Sequence, residues 1–399
     1  MRLPVLILIM LILIGIGTDT YIWFAIRRLT ARRWVRRVHI GISVILLLML
    51  LSVFFMPVRS GSDAMLRCVM WILYTYLAFY VPKLLFVIFD AVSLIPRLLK
   101  KKQLRWLSYT GGVIAVIVFV MMWWGALINR YRIDVREVEV PISNLPAQFD
   151  GFRIAQISDL HVGSYGTDTT FLHDLVERVN ALKPDMIVFT GDIVNRLTDE
   201  TTPFVNVLSR LHAPYGVYSI LGNHDYGDYV DWKNPADKKT NFERLLKVQD
   251  QMGWHMLNND HDFIVNRGDT LVLIGVENVG DPPFHTYGDL GKAYPDISDS
   301  RTKILLSHNP AHWENDIQAH PEANIALTLS GHTHAMQIEV FGLSPAAWRY
   351  RAWGGLYDDD MGHMLYVNIG AGTVAMPARI GATPEITLLT LRPAASKQR

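Results

Sequence analysis

Four long apolar stretches occupy the first third of the chain and constrain its fold more than any other feature. They cover about residues 3–26, 39–56, 66–92 and 108–128. The hydrocarbon core of a bilayer is about 30 Å thick, and a helix of about 20 residues crosses it. A helix on a soluble core would carry a polar stripe, which the second stretch lacks. We therefore expect residues 1–130 to form four transmembrane helices.

Charge is divided sharply between the two parts of the chain. Residues 1–130 contain 16 Lys and Arg against 3 Asp and Glu, a net charge of +13, whereas residues 131–399 carry −12. The basic residues gather between the first and second and between the third and fourth stretches, and such loops stay in the cytoplasm. We therefore expect a multi-pass protein of a bacterial inner or plasma membrane, with residues 131–399 outside the cytoplasm. The acidic part also argues against nucleic acid as a partner.

Three ionisable residues lie inside the apolar stretches: Asp19, Lys83 and Asp90. Charges in a membrane are costly and usually face the interior of a helix bundle. Asp19 and Lys83 fall at similar depth, so we expect them to pair and to lock the bundle. Snorkelling of Lys83 to the interface and a proton or substrate path are the alternatives.

Residues 151–399 have the pattern of a separate α/β domain, which follows a connector at residues 131–150. Short apolar runs that are typical of buried strands cover residues 152–157, 186–190, 217–221, 271–276, 304–306, 325–329, 366–369 and 386–391. Apolar residues at helical spacing predict helices at 169–182, 202–211 and 242–252. Alternation of strands and helices indicates buried sheets that are covered by helices. A single Cys, Cys68, excludes a disulfide framework.

Five polar motifs follow apolar runs of this domain. They lie at residues 158–161, 191–192, 222–225, 307–309 and 330–334. Loops at the carboxyl ends of strands form the sites of α/β sheets, so we expect these side chains to gather at one edge. The set combines oxygen and imidazole ligands, which suits Mn, Fe or Zn better than Ca²⁺. It is too large for one tetrahedral ion and fits two ions that share a carboxylate.

The same motifs, in this order, resemble the signature of the calcineurin-like metallophosphoesterases. The resemblance covers about residues 150–392 and is closest to the membrane-associated bacterial branch, whose closing segment is similar to residues 370–387 here. It implies a four-layer α/β/β/α sandwich with a dinuclear metal site. The expected architecture is therefore this sandwich, preceded by the four-helix transmembrane unit.

The resemblance also implies a role for each motif residue. One metal would be held by Asp159, His161 and His334, and the second by Asn223, His308 and His332, with Asp192 bridging the two. His224 would protonate the leaving oxygen or stabilise charge on the phosphoryl group. Asp225 would orient His224 or cap a turn, and Arg196 would clamp the phosphate through its bidentate fork.

Two positions depart from the pattern of the family. Many relatives have Asp where this chain has Asn195, and that Asp orients the catalytic His. An uncharged Asn can still accept a hydrogen bond but stabilises an imidazolium ring less, so we expect weaker activity or a shifted pH optimum. Ala335 and Met336 replace glycines of the family, which puts the backbone shape after His334 in question.

We therefore expect a membrane-anchored phosphohydrolase, in which metal-activated water cleaves a phosphoester or pyrophosphate bond. Tethering to the membrane favours a lipid-linked substrate. The aromatic and basic segment at residues 342–363 suits either a membrane interface or an ordinary covering loop. The alternative function is a non-enzymatic membrane sensor with a metal-binding extracytoplasmic domain, and the charge of −12 disfavours a nuclease of the same family. The oligomeric state is not predictable from the sequence.

Overall fold

The computed structural model describes residues 5–57, 61–281, 285–319, 323–359 and 361–394. The chain divides into two compact units. One consists of Met1–Ile128 with Ala375–Ala378, and the other of Asn129–Val374 with Arg379–Arg399.

Among its described residues, the first unit contains four helices that are long and apolar enough to cross a membrane. They are α1 (Val5–Leu29), α2 (Arg33–Ser52), α3 (Asp63–Leu98) and α4 (Arg105–Leu127). The four predicted spans are confirmed, although the first two predicted residues, 3 and 4, lie outside the described part of the chain. Helix α3 is longer than its prediction. It begins where the Ser62 hydroxyl accepts a hydrogen bond from Met65 N, and it continues through Pro82 and Pro96.

The predicted ion pair inside the helices is confirmed. The Nζ atom of Lys83 lies 2.8 Å from Asp19 Oδ1 and 3.3 Å from Ser43 Oγ. The Tyr80 hydroxyl donates to Asp19 Oδ2 at 2.6 Å. These contacts join α1, α2 and α3 and satisfy both charges within the bundle, which rules out snorkelling of the Lys83 ammonium in this structure. The locking role of the pair stays a prediction.

The third membrane charge, Asp90, is fully buried and has a basic partner too. Its Oδ2 atom accepts hydrogen bonds from the Tyr21 hydroxyl at 2.9 Å and from the Arg28 guanidinium. Arg28 belongs to the basic cluster between the first two apolar stretches. One of these arginines therefore neutralises a buried carboxylate, as a charge in a membrane requires.

Two mixed six-stranded sheets form the second unit. In the first, the strand order is β1-β12-β2-β3-β4-β5 and in the second β10-β11-β9-β8-β7-β6. The strands are β1 (Asp134–Ile142), β2 (Arg153–Ile157), β3 (Met186–Phe189), β4 (Val217–Ser219), β5 (Trp254–Met256), β6 (Asp260–Asn266), β7 (Asp269–Gly275), β8 (Lys303–Leu306), β9 (Ile325–Ser330), β10 (Gly355–Asp358), β11 (Met364–Val367) and β12 (Glu385–Pro393).

Five α-helices accompany the sheets in the described part of the second unit. They are α5 (Thr170–Ala181), α6 (Val205–Leu208), α7 (Pro235–Gln251), α8 (Leu290–Ala293) and α9 (Ala311–Asn315). One apolar cluster joins the facing sides of the two sheets through residues such as Ile154 and Leu306. A second lies between the first sheet and helices α5 and α7, and a third includes Ala293 and Trp313 beside the second sheet. The predicted α/β/β/α layering is therefore confirmed.

The structure differs from the prediction at two places. Residues 131–150, expected as a connector, contain β1, which pairs in parallel with β12 and forms the edge of the first sheet. The helix predicted at 202–211 is reduced to the single turn of α6. Strands β2, β3 and β4 run parallel, as do β7, β8 and β9. Their carboxyl ends carry the predicted motifs to one place.

Candidate metal centre

The motif residues occupy sharp turns directly after the strands. Five of them have left-handed backbone angles: Asp159 (φ 53°), His161 (φ 43°), Asp192 (φ 64°), His332 (φ 74°) and His334 (φ 51°). Residues other than glycine rarely adopt this conformation, and it is commonly retained at functional sites. These turns follow the carboxyl ends of strands β2, β3 and β9, and the side chains of Asp159, His161 and Asp192 are buried there.

Glycines let the carboxylates approach the neighbouring loops. A Cβ atom at Gly222 would overlap the carboxylate of Asp192, and one at Gly331 would overlap the carboxylate of Asp159. These two motif glycines therefore make room for the acidic groups as well as for the turns.

The first ligand group consists of Asp159, His161 and His334. One donor atom from each lies within 4.8 Å of the other two. The Nε2 atom of His334 is 3.1 Å from Asp159 Oδ1 and 3.0 Å from His161 Nε2. All three residues are buried.

The second ligand group consists of Asp192, His308 and His332, again within 4.8 Å of one another. The Nε2 atom of His308 lies 3.2 Å from Asp192 Oδ2, 3.2 Å from His332 Nδ1 and 3.2 Å from Asn223 Oδ1. The structure therefore brings Asn223 to this group, where the sequence predicted it.

Asp192 lies between the two groups. Its Oδ2 atom is 3.6 Å from His161 Nε2 of the first group and 3.2 Å from His308 Nε2 of the second. Its other oxygen, Oδ1, accepts a hydrogen bond from His224 N at 2.8 Å. One carboxylate oxygen thus faces both groups, which is the position that a bridging ligand needs.

The donor set fits two borderline divalent or trivalent metal ions. Each triad supplies one carboxylate and two imidazoles without thiolate, which is typical of Mn, Fe and Zn sites. Burial lowers the pKa of His161 and of His332, so both rings are neutral, the form that coordinates a metal. Burial on its own would raise the pKa of Asp192, but His308 and His224 hold it well below its ordinary value.

Main-chain carbonyls orient two of the imidazoles. The Nδ1 atom of His161 lies 3.1 Å from Val194 O, and that of His308 lies 2.7 Å from Thr190 O. A donor hydrogen at Nδ1 leaves Nε2 free for a metal, which is the usual outer-shell arrangement of metal-binding histidines. His332 is turned the other way, since its Nε2 atom contacts the Tyr350 hydroxyl at 2.9 Å.

Comparison with known proteins agrees with this geometry. Residues 1–130 match the model described as "Probable Calcineurin-like phosphoesterase, transmembrane domain", and residues 152–336 match "Calcineurin-like phosphoesterase". The uncharacterized metallophosphoesterase YkuE of Bacillus subtilis is 30% identical over 66% of this chain and 87% of its own length. This chain belongs to the calcineurin-like metallophosphoesterases.

Other relatives of the family differ in length. A bovine transmembrane protein with metallophosphoesterase domain is 32% identical over 70% of this chain, but the match spans only 62% of the bovine protein. The UDP-2,3-diacylglucosamine pyrophosphatase LpxG of Chlamydia trachomatis is 30% identical over 62% of this chain and 86% of its own length. The matched region therefore makes up different shares of the relatives' own chains.

This metallophosphoesterase orients its predicted catalytic histidine in an unexpected way. The Nδ1 atom of His224 lies 2.6 Å from the main-chain oxygen of Asn195, so the ring contacts the main chain of this residue and not its side chain. The Asn195 amide instead donates to Ser164 Oγ at 3.2 Å. The Asn195 side chain therefore does not hold the histidine in this structure, because the turn after Asp192 presents a main-chain carbonyl to the ring.

Asp225 is used for the backbone and not for His224. Its Oδ2 atom accepts hydrogen bonds from Asp192 N and Gly222 N, each at 2.9 Å, and its Oδ1 atom accepts one from Ile193 N at 3.0 Å. Of the two predicted roles, capping of a turn is the one that the structure shows. A buried carboxylate thereby fixes the loop that carries Asp192 to the loop that carries His224.

Ala335 and Met336, which replace glycines of the family, keep the glycine-like backbone. Both have left-handed angles, with φ of 51° and 46°. The turn after His334 therefore carries local strain, which glycine would avoid.

A cavity of about 250 Å³ opens beside the second ligand group. Its lining includes Asn223, His224 and His332 of the motifs together with Tyr229, Arg349 and Tyr350. Tyr229 stacks on His224 with ring centroids 4.2 Å apart, and its hydroxyl accepts from Asn223 Nδ2 at 2.8 Å. Tyr229 is a site residue that the sequence does not reveal, since an aromatic residue in a loop carries no motif, whereas Tyr350 belongs to the aromatic segment at residues 342–363.

Arg196, predicted as a phosphate clamp, is only 3% exposed and is absent from the described lining of this cavity. Arg349 is the guanidinium that lines it. The exposed Arg349 side chain places its Nη2 atom 2.9 Å from Asp281 Oδ2. The clamp role of Arg196 stays a prediction, and Arg349 is the better-placed cation.

Proposed function

We propose that this protein is a membrane-anchored phosphohydrolase that cleaves a phosphoester or pyrophosphate bond with the help of two metal ions. The observation that carries the proposal is the pair of adjacent His/Asp triads with the Asp192 oxygen between them. An isolated metal site would need only one such group. Two neighbouring sites that share a carboxylate are the arrangement used to clamp a phosphoryl group.

The residues of each triad would hold one ion. Asp159, His161 and His334 suit the first, and His308, His332 and Asn223 the second, with Asp192 shared. When bound, such a pair supplies an activated water and neutralises charge on the phosphoryl oxygens. Manganese, iron or zinc are the metals that this donor set favours.

His224 would act on the leaving group. The hydrogen bond between its Nδ1 atom and Asn195 O fixes the ring and leaves Nε2 as the nitrogen available to substrate. Because His224 lines the cavity, a protonated Nε2 can donate to the oxygen that leaves. Tyr229, stacked on the ring, restrains its rotation.

A lipid-linked phosphate is the substrate class that we favour. The four membrane spans hold the domain close to lipids, and one relative is named as a pyrophosphatase for a diacylated compound. The net charge of −12 over residues 131–399 disfavours nucleic acid, whose phosphates select basic surfaces.

We also propose that the phosphoesterase domain lies outside the cytoplasm. The basic residues at the ends of α1 and α3 and the starts of α2 and α4 support this orientation. Alkaline phosphatase fused after residue 399 should be active in a bacterial host, since it folds only outside the cytoplasm. A cytoplasmically active reporter at the same position would reverse the assignment.

The test of the activity uses the full-length protein in detergent with para-nitrophenyl phosphate and added Mn²⁺. Asp192→Asn and His224→Ala should each reduce the rate by about 100-fold or more. The matched controls Asp250→Asn and His212→Ala change exposed residues and should keep the wild-type rate. Stoichiometric metal without turnover in the wild type would instead favour the sensor.

A further inference from the structure

A short hairpin follows the last metal-binding motif. Val340 and Leu343 pair across a two-residue turn, with hydrogen bonds of 2.9 and 3.1 Å between their main chains. The turn residues Phe341 and Gly342 have φ of 53° and 75°. Two left-handed residues are typical of the tightest hairpins, in which the turn residues project away from the body. We call residues 338–351 the 338–351 hairpin.

This hairpin exposes unusually large apolar side chains. Phe341 is 100% exposed, Trp348 90% and Leu343 76%. No other large apolar side chain among the described residues of the phosphoesterase unit exceeds 60%. Scattered exposed apolar residues are normal, but three such residues within eight positions mark an interaction surface.

The exposed side chains stand on an anchored base. The Ser344 hydroxyl donates to Ala335 O at 2.6 Å and accepts from Ala346 N at 3.0 Å. Ala346 is fully buried, and residues Pro345–Trp348 form a turn of 3-10 helix. The exposed side chains therefore belong to an ordered segment. Their contact with water is unfavourable in free energy unless another surface covers them.

Basic residues stand beside the apolar ones. Arg349 and Arg351 are both exposed, and Arg351 forms no ion pair with any described residue. Aromatic side chains flanked by arginines suit the interface of a bilayer, where rings lie among the headgroups and guanidinium groups meet anionic lipid. A chain with four membrane-spanning helices has such an interface at hand.

The hairpin is continuous with the cavity of the metal centre. Tyr350 contacts His332 Nε2 at 2.9 Å, and Arg349 and Tyr350 line the cavity together with His224. Whatever covers Phe341, Leu343 and Trp348 thus comes next to the mouth of the site.

We propose that the 338–351 hairpin docks on an anionic lipid bilayer and brings the mouth of the cavity to the level of the lipid headgroups. The exposed apolar side chains and the neighbouring arginines support the docking independently of any enzymatic activity. Its consequence for substrate choice rests on the proposed function, because only a phosphohydrolase would use the headgroup phosphates so presented.

The docking is tested by fluorescence quenching in nanodiscs that contain phosphatidylglycerol. The full-length Cys68→Ser variant, which lacks the native cysteine, carries Phe341→Cys labelled with an environment-sensitive dye. The matched control is Val265→Cys, an apolar residue that is 56% exposed on β6, the opposite edge of the sheet from β10. Nitroxide on the lipid chains should quench the dye at 341 at least threefold more than at 265, and iodide should do the reverse.

Two results would overturn the docking. Equal access of iodide to both positions would show that the hairpin stays in water. Protection of position 341 from both quenchers would show that protein covers it, such as a second copy of this chain.

An activity measurement separates the docking from the proposed function. For Leu343→Ser with Trp348→Ser, the ratio of kcat/KM on phosphatidic acid to that on para-nitrophenyl phosphate should fall at least 10-fold. An unchanged ratio would remove the role of the hairpin in substrate choice. If the wild type hydrolyses neither these two phosphomonoesters nor a phosphodiester or pyrophosphate compound, the proposed function fails, and the quenching result still decides the docking.

Discussion

The ring of His224 is held by the main chain of Asn195, with 2.6 Å between Nδ1 and the carbonyl oxygen. The Asn195 side chain is directed instead to Ser164. A carbonyl acceptor is supplied by any residue at this position, so the loss of the family's Asp need not release the histidine. It does remove a negative charge that would stabilise the imidazolium ring.

Asn195→Ala should therefore keep the orientation of His224. We expect it to retain at least about a tenth of the wild-type kcat, whereas His224→Ala should lose about 100-fold or more. The measurement is steady-state hydrolysis of para-nitrophenyl phosphate by the full-length protein. A loss in Asn195→Ala as large as that in His224→Ala would mean that the side chain, and not the carbonyl, positions the ring.

Gly222→Ala should damage the candidate metal centre although it replaces none of the proposed ligands. A Cβ atom at this position overlaps the Asp192 carboxylate, which must then shift away from both triads. A displacement of about 1 Å costs about 100-fold in rate, and metal content should fall as well. Both are measurable by elemental analysis and an activity assay.

The matched control for this substitution is Gly291→Ala in α8. Its Cβ would meet only Asp289 Oδ1, at an ordinary contact distance of 3.6 Å. If Gly222→Ala bound two metals and kept the wild-type rate, the close approach of this loop to Asp192 would be unimportant.

The Asp19–Lys83 pair should stabilise the helix bundle only as a pair. Lys83→Met alone leaves the Asp19 carboxylate without its cation inside the bundle, and removal of one buried partner costs about 3–5 kcal/mol. Asp19→Asn with Lys83→Met removes both charges and should recover much of that loss. Thermal unfolding of the full-length protein in detergent gives the comparison, with the exposed Lys102→Met as control.

A double variant no more stable than Lys83→Met would contradict a pairwise lock. It would favour a separate function for Asp19, such as a proton path.

Acid should weaken a buried contact far from the metal centre. Lys303 is fully buried, and its Nζ atom lies 2.9 Å from Asp299 Oδ1. Burial on its own would raise the pKa of Asp299, but hydrogen bonds from Tyr294, Lys303 and Arg301 hold it well below its ordinary value. The ionised carboxylate therefore contributes stability above the unfolded pKa of about 4, and this contribution is lost as the pH falls towards the lower folded pKa.

Asp299→Asn should consequently be less stable than the wild type at pH 7, and the difference should shrink below about pH 4. Unfolding midpoints in urea between pH 3 and 7 would show it. Asp250→Asn, an exposed acid, should follow the wild type throughout. A gap that widened in acid would mean that Asp299 is not ionised in the folded protein.

Much of the architecture was predictable because its signals are local. The four spans are visible as apolar length, and α5 is visible as apolar spacing, since each pattern lies within one stretch of chain. Strand β1 escaped because it is a half-exposed edge strand whose partner β12 lies about 250 residues away. The helix predicted at 202–211 is wrong because apolar spacing does not require a continuous helix. The apolar residues of this segment pack into the core from a single helical turn and a loop.

The sequence alone determined which residue types gather at the candidate metal centre, since Asp159, Asp192 and His308 stand in short motifs whose side-chain chemistry is evident from the residues themselves. Only the tertiary structure decided how they meet: which oxygen of Asp192 faces both triads, and which carbonyl holds His224. It also decided that Phe341 and Trp348 face outwards, where apolar residues of the same kind elsewhere are buried. Distances and exposure arise when segments far apart in the chain pack together, and no single segment encodes them.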